Sequence, residues 1–258
     1  MTQAIYDLSK LPTTFDFAPW ACYARTCGME RVHFIVDGPI ASWKYPAEIA
    51  WKRFANILIP MCKLARLEYT VGGRIEGRTF TYLAGHLNSL YKQIGRIEKL
   101  KATKILMRKE YVTITLRESF RNRFRNSNVA EWEKFRKWLE GRNVDVEVLP
   151  ECENAPIDLE YRMALYSGAT MNFGVGNGPM ALCVFSEAPY LLLNLCPEPD
   201  GVEKLQYDQK KLMASQGFPE GSNFAFKNDR QLMVYEPDTF ENIVRAYEAM
   251  QEPKKAAA

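Results

Sequence analysis

Residues 169–194 read ATMNFGVGNGPMALCVFSEAPYLLLN. Residues 169–175 have the apolar content of a buried strand, Gly176-Asn177-Gly178-Pro179 makes a turn, residues 180–186 have helical character, and a second apolar strand follows. A turn that releases a helix straight from a buried strand leaves backbone N–H groups unpaired at the strand's carboxyl end. Those donors, with the positive end of the helix dipole, favour a phosphate or diphosphate. Gly176 and Gly178 lack the Cβ atoms that would hold a ligand off the backbone. Pro179 suits the first helical position, and Met180 opens the helix. The same residues also make an ordinary strand-to-helix connection, so the turn needs support from the rest of the chain.

Working outward, strands and helices alternate. Before the turn lie a helix at 159–167, a strand at 144–149, a helix capped by Ser127 or Asn128 that runs to Gly141, and the β-branched strand YVTITL at 111–116. Nearer the N-terminus the pattern predicts a helix over 15–27, a strand over 31–36 and a helical stretch over 46–66 that Pro60 should kink or divide. A strand over 67–71 closed by Gly72-Gly73 and a helix over 83–100 follow. Asp238 and Thr239 can cap a last helix ending near Met250. The expected fold is α/β, with two Rossmann-like halves whose mostly parallel sheets are flanked by helices. The N-terminal half (1–105) is reduced, and the C-terminal half (106–258) carries the turn. Ligands of such folds bind at the carboxyl ends of the strands, commonly between halves.

The 258 residues are 47% hydrophobic and 25% charged, an ordinary globular composition. A net charge of +3 lacks the broad basic face of a nucleic-acid protein. No apolar run approaches the roughly 20 residues of a membrane-spanning helix. The opening MTQAIYDLSKLPTTFDF has no basic start followed by an apolar core, so no signal peptide is expected. Six cysteines (22, 27, 62, 152, 183 and 196) form no C-x-x-C pair, and only His33 and His86 accompany them. Reduced thiols, no metal and a cytoplasmic setting are the expectation.

Polar residues gather at the predicted strand ends. Arg117, Glu118 and Ser119 follow YVTITL, and a guanidinium there can grip phosphate through two parallel bonds. Arg121, Arg123 and Arg125 alternate, so an extended loop would put them on one side; a solvated loop paired to nearby glutamates is the plainer alternative. Glu151, after the strand at 144–149, can hold ribose hydroxyls or simply sit in a surface turn. Arg162 lies within a helix beside Asp158 and Glu160, where pairing along the helix is the default. In the N-terminal half, Asp37 closes the strand RVHFIV and is the candidate general base. Asp16 is read as a helix cap, His33 as a satisfied strand histidine and His86 as exposed. No Gly-x-Ser-x-Gly elbow is present to support hydrolase chemistry.

The run of strand, Thr-Leu-Arg-Glu, helix, strand, helix, Met-Asn-Phe-Gly-Val-Gly-Asn-Gly-Pro-Met-Ala-Leu and Ala-Pro-Tyr-Leu-Leu-Leu resembles the C-terminal half of GT-B glycosyltransferases. The likeness is greatest to heptosyltransferase-like enzymes of surface-carbohydrate biosynthesis. Residues 231–241, QLMVYEPDTFE, resemble the closing strand and helix of that half. The resemblance implies that Asn177, Gly178, Pro179 and Met180 lie beside the donor's sugar and diphosphate, and that Arg117 reaches the diphosphate. It implies metal-independent transfer from a nucleotide-diphosphate sugar to a glycan or lipid-linked acceptor, the nucleotide sugar being substrate and no cofactor being needed. A non-catalytic nucleotide- or glycan-binding module and a nucleotide-sugar epimerase share the architecture and remain alternatives.

Overall fold

The computed structural model describes residues 3–41, 45–80, 84–106, 108–119, 122–150, 158–197, 209–215 and 217–251. The N-terminal half contributes β1 (Gln3–Asp7), α1 (Phe17–Thr26), β2 (Arg31–Ile35), α2 (Ala47–Arg53), α3 (Ile59–Leu64), β3 (Glu68–Gly72), β4 (Arg78–Thr79) and α4 (Ala84–Ile94). The C-terminal half contributes β5 (Tyr111–Leu116), α5 (Val129–Glu140), β6 (Asp145–Pro150), α6 (Leu159–Gly168), β7 (Met171–Val175), α7 (Ala181–Val184), β8 (Tyr190–Leu193), α8 (Gln209–Ser215), β9 (Gln231–Met233) and α9 (Phe240–Gln251). These make two sheets, ordered β3-β2-β1-β4 and β6-β5-β7-β8-β9, in which every described pairing is parallel. The expected two-halved α/β architecture is what the chain adopts.

Strand order reverses between β1 and β4 in the first sheet and between β5 and β7 in the second. At such a switch point the flanking connections leave on opposite faces, which opens a crevice at the strand carboxyl ends. In the second sheet that crevice lies between Leu116 and Val175, the ends of the two strands that deliver Arg117 and the glycine turn.

Period-two alternation sorts β5. Val112 and Ile114 pack with Trp132, Phe135 and Leu139 of α5 and Ile243 of α9. The opposite face carries Thr113 and Thr115, which are fully buried and answered by side chains: Thr113 Oγ1 donates to Asn172 Oδ1 (2.7 Å), and Thr115 Oγ1 meets the Tyr166 hydroxyl (2.8 Å).

Several elements differ from the sequence reading. Residues 3–7 form β1, an inner strand of the first sheet, where the sequence reading placed no element. The helical stretch is divided ahead of Pro60, as expected, but without leaving helical geometry. A π-helical turn over Phe54–Leu58 separates α2 from α3, and Pro60 falls in the first turn of α3, where its missing N–H is not needed. The helix expected over 83–100 stops at Ile94 because Gly95, at φ +71°, takes the left-handed conformation that ends helices. Asn128 and Ser127 make no side-chain cap on α5; Ser127 is used elsewhere.

The halves share one apolar cluster. Met61, Leu64 and Leu100 belong to it together with Met163, Tyr166, Leu182 and Phe185. Leu100 N–H donates to Phe185 O (2.8 Å), Lys101 N–H to Leu64 O (2.9 Å), and Lys63 pairs with Glu160 (2.8 Å) across the joint.

Cys22, Cys27, Cys62, Cys183 and Cys196 are free thiols, and Cys152 lies outside the described residues. Burial pushes the Cys22 thiol up to about 12 and raises the Cys62 and Cys183 thiols as well. With native protein at pH 8, a disulfide reagent should therefore leave Cys22, Cys62 and Cys183 untouched until unfolding, while half-buried Cys27 reacts first among the described thiols. Prompt native labelling of Cys62, mapped by mass spectrometry, would contradict the burial.

Candidate functional site

Arg117 is one residue beyond β5 and is buried at 7% exposure. Its backbone is fixed on both sides by Ser127: Arg117 N–H donates to Ser127 Oγ (2.8 Å), and Ser127 N–H donates to Arg117 O (2.9 Å). Glu118 is exposed. The loop that follows is closed by Asn126, which accepts from Ser119 N–H at Oδ1 (3.0 Å) and donates from Nδ2 to Ser119 O (2.9 Å).

The loop arginines do not share one side of an extended segment. Asn122 adopts the left-handed conformation (φ 52°), and Arg123–Arg125 form a 3₁₀ turn. A 3₁₀ turn repeats every third residue, so alternation no longer brings arginines together. Arg123 is exposed, Arg125 is half-buried and donates to Gly176 O (2.8 Å), and Arg121 lies outside the described residues. Glu151 also falls outside them, in 151–157.

The glycine turn differs from its sequence reading in two respects. The helix after it is a single turn, Ala181–Val184, with little macrodipole to offer. Its leading amides are also already used: Asn177 Oδ1 accepts from Met180 N–H (3.0 Å), Gly178 O from Ala181 N–H (3.0 Å) and Pro179 O from Leu182 N–H (3.0 Å). A Cβ on Gly178 would come within 2.5 Å of Phe15 Cδ2, so its bareness admits the Phe15 ring of the other half. A Cβ on Gly176 would meet only Leu195 at an ordinary 3.5 Å. Pro179 and Met180 are buried. Asn177 Nδ2 is buried with no hydrogen-bond partner among the described residues, an unmet donor beside the switch point.

Facing this edge is the β1–α1 loop, which the sequence reading did not single out as a site. Asp7, at the end of β1, accepts from Ser9 N–H (3.0 Å) and Ser9 Oγ (2.6 Å). Burial pushes its carboxyl up, but the Ser9 and Lys10 hydrogen bonds outweigh this and hold it low. Asp16 makes no side-chain cap on α1; it accepts from Thr14 Oγ1 (2.7 Å) and adjoins Phe15, the residue that touches Gly178. The signal was AIYDL, an apolar run ending on an aspartate, but a five-residue strand at a terminus has too few alternations to stand out. Asp37 is exposed at the end of β2, one strand from the switch point, and its carboxylate accepts the Arg74 backbone N–H. His33 is satisfied as expected, by Thr70 Oγ1 and Gly73 O (both 2.8 Å), and His86 is exposed.

Arg162 is not on the helix surface. It is 5% exposed, with Asp158 turned to Lys104 (3.6 Å) and Glu160 to Lys63 (2.8 Å). No helix among the described residues is long and apolar enough to cross a membrane, and no cluster of three or more His, Cys, Asp or Glu side chains gathers among them.

Two parallel sheets with strand-end loops meeting at Phe15 and Gly178 define a two-halved, Rossmann-like α/β protein, with Arg117 and Asn177 at the strand ends of its second sheet. Among solved structures, the chain is similar in fold to the bacterial iron-containing dodecameric glycosyltransferase TibC from enterotoxigenic E. coli (12% identity, TM-score 0.42, covering 74% of this chain and 57% of that one). It is likewise similar to the dodecameric iron-containing heptosyltransferase TibC in complex with ADP-D-β-D-heptose (12% identity, TM-score 0.45, 74% and 58%). The chain thus spans less than three-fifths of the length of those proteins. No protein-family model matches the sequence, and no curated protein does.

Proposed function

We propose that the chain is a glycosyltransferase that takes a nucleotide-diphosphate sugar as donor and a glycan or lipid-linked hydroxyl as acceptor, at work in the cytoplasm without a metal cofactor. The observation that carries this reading is the position of Arg117, a buried arginine whose backbone is fixed by Ser127 just past the carboxyl end of β5, at the switch point. Arg117 binds the diphosphate and stabilises the charge that develops on it as the sugar departs. Arg123 and Glu118 line the exposed approach, Glu151 takes the ribose hydroxyls, and Gly176 and Asn177 contact the sugar, with Gly178, Pro179 and Met180 holding the turn in place beneath it. Because the amides of α7 are spent internally, anion binding rests on side chains rather than on the helix end. An acceptor hydroxyl needs a carboxylate base within reach. Asp37 fills that role in this proposal, with Asp16 the competing carboxylate because it adjoins Phe15 at the Gly178 contact.

Thermal stabilisation by a panel of nucleoside diphosphates and nucleotide sugars tests the donor site. One nucleotide at a hundred times its Kd should add about 2.7 kcal/mol to wild-type stability and add nothing to Arg117→Ala. Release of nucleoside diphosphate from the selected sugar, only with acceptor present, would establish transfer. Comparing Asp37→Asn with Asp16→Asn assigns the base as the variant that loses at least a hundredfold in turnover. Binding without turnover would make the chain a binding module, and sugar interconversion without acceptor would make it an epimerase. Absence of any shift would refute the donor site.

A further inference from the structure

Arg162 lies inside the protein, and among the described residues its charge is unanswered. Its two hydrogen-bond acceptors are neutral, the Tyr166 hydroxyl (3.3 Å) and Pro150 O (3.0 Å). Among the described residues no carboxylate lies within the 4.0 Å of an ion pair, since the acidic residues flanking it on α6 serve Lys104 and Lys63. Neighbouring titratable groups do not supply an anion: burial raises both the Tyr166 hydroxyl and the Cys183 thiol, keeping them neutral. A guanidinium cannot shed its proton to escape the cost of burial, and a buried charge without a counter-ion is destabilising.

Its location gives that cost a meaning. Strand register sets Leu116 of β5 opposite Pro150 of β6, and Pro150 O is one of Arg162's acceptors. Thr115 Oγ1 meets the same Tyr166 hydroxyl that accepts from Arg162. Thr113, Thr115 and Arg117 are alternate residues, so the face of β5 that carries the buried threonines towards α6 continues to Arg117. Arg162 therefore approaches the carboxyl edge from α6, on the face where β5 ends in Arg117.

We infer that Arg162 is a ligand-binding residue, and that Arg117 and Arg162 form a two-guanidinium cradle for a diphosphate. The cradle would take a pyrophosphate group in preference to a single phosphate, because the two cations meet two adjoining anionic centres. This deepens the donor-site reading and rests on it for the natural ligand, but inorganic pyrophosphate tests the cradle by itself.

The experiment is calorimetric titration with inorganic pyrophosphate and with orthophosphate at matched ionic strength. Wild-type protein should bind pyrophosphate at least tenfold more tightly than orthophosphate; equal affinities, or no pyrophosphate binding, would overturn the cradle without needing any variant. Arg162→Met should melt at or above the wild-type temperature without ligand, since it removes an uncompensated charge, and should lose at least tenfold in pyrophosphate affinity. Arg162→Lys keeps the charge but not the fork and should fall between the two. A folded Arg162→Met with lower melting temperature and unchanged pyrophosphate affinity would make Arg162 a structural residue and refute the inference. The two readings can fail separately. Arg162-dependent pyrophosphate binding without nucleotide-sugar turnover leaves the cradle and removes the transferase. Nucleotide-sugar turnover undiminished in Arg162→Met leaves the transferase and removes the cradle.

Discussion

Replacing Asp238 with alanine should destabilise the protein by about 3 kcal/mol, lowering its melting temperature by roughly 6–12 °C for a chain of this size. Asp238 is 4% exposed, and its carboxylate gathers three elements. Oδ2 accepts from Asn128 N–H at the start of α5 (2.8 Å) and from Trp132 Nε1 (2.7 Å), and Oδ1 accepts from Asn194 Nδ2 at the end of β8 (3.2 Å). Truncation leaves a buried indole N–H and a helix-end amide without acceptors, and the cost is mainly their lost solvation. Asp238→Asn keeps one acceptor oxygen and should lose less than half as much. Urea unfolding followed by tryptophan fluorescence measures both; an alanine variant within 0.5 kcal/mol of wild type would remove the carboxylate from this role. The sequence pattern offered Asp238 and Thr239 as caps for α9; Thr239 takes that place, its Oγ1 accepting from Asn242 N–H (3.3 Å) and its carbonyl O from Ile243 N–H (2.9 Å), which leaves Asp238 to the contacts above.

Gly178→Val should have the other large effect. Its Cβ would fall 2.5 Å from Phe15 Cδ2 and 3.2 Å from two further ring atoms, and Phe15, at 7% exposure, has little room to retreat. Overpacking of this kind costs about 1–3 kcal/mol, with valine at the upper end and alanine at the lower. Phe15→Leu should recover part of the loss when combined with Gly178→Ala, giving a favourable coupling of about 1 kcal/mol in a double-mutant cycle. If glycine were present only to let a ligand approach, Gly178→Ala would instead weaken nucleotide binding at unchanged stability and show no coupling to Phe15. The cycle separates the two roles.

The reading of YVTITL as a strand matched Tyr111–Leu116 residue for residue, because β-branched residues and a polar exit left few alternatives. The placement of Arg117 at the carboxyl end of β5 followed from that boundary. What the sequence concealed was long-range. Nothing local to Gly-Asn-Gly-Pro announces that Phe15, over 150 residues away, fills the space above Gly178. Arg162 beside two acidic residues reads as a surface helix position, and only burial of α6 between the halves reveals otherwise. The arginine alternation after β5 failed because Asn122 and Asn126 curl that loop, a contest between side-chain spacing and turn chemistry that the turn residues won.

Met61, Leu64 and Leu100 are packed with Met163, Leu182 and Phe185 into one apolar mass, so the lobes cannot swing apart about a hinge without wetting it. A ligand of the proposed donor site would then meet a surface whose shape is set before it arrives. Little binding energy is lost to ordering the protein, and discrimination between ligands falls on fit at the rim rather than on a closing movement. A severed chain would pay the opposite penalty, with each fragment carrying one raw apolar flank into water and a strong tendency to aggregate.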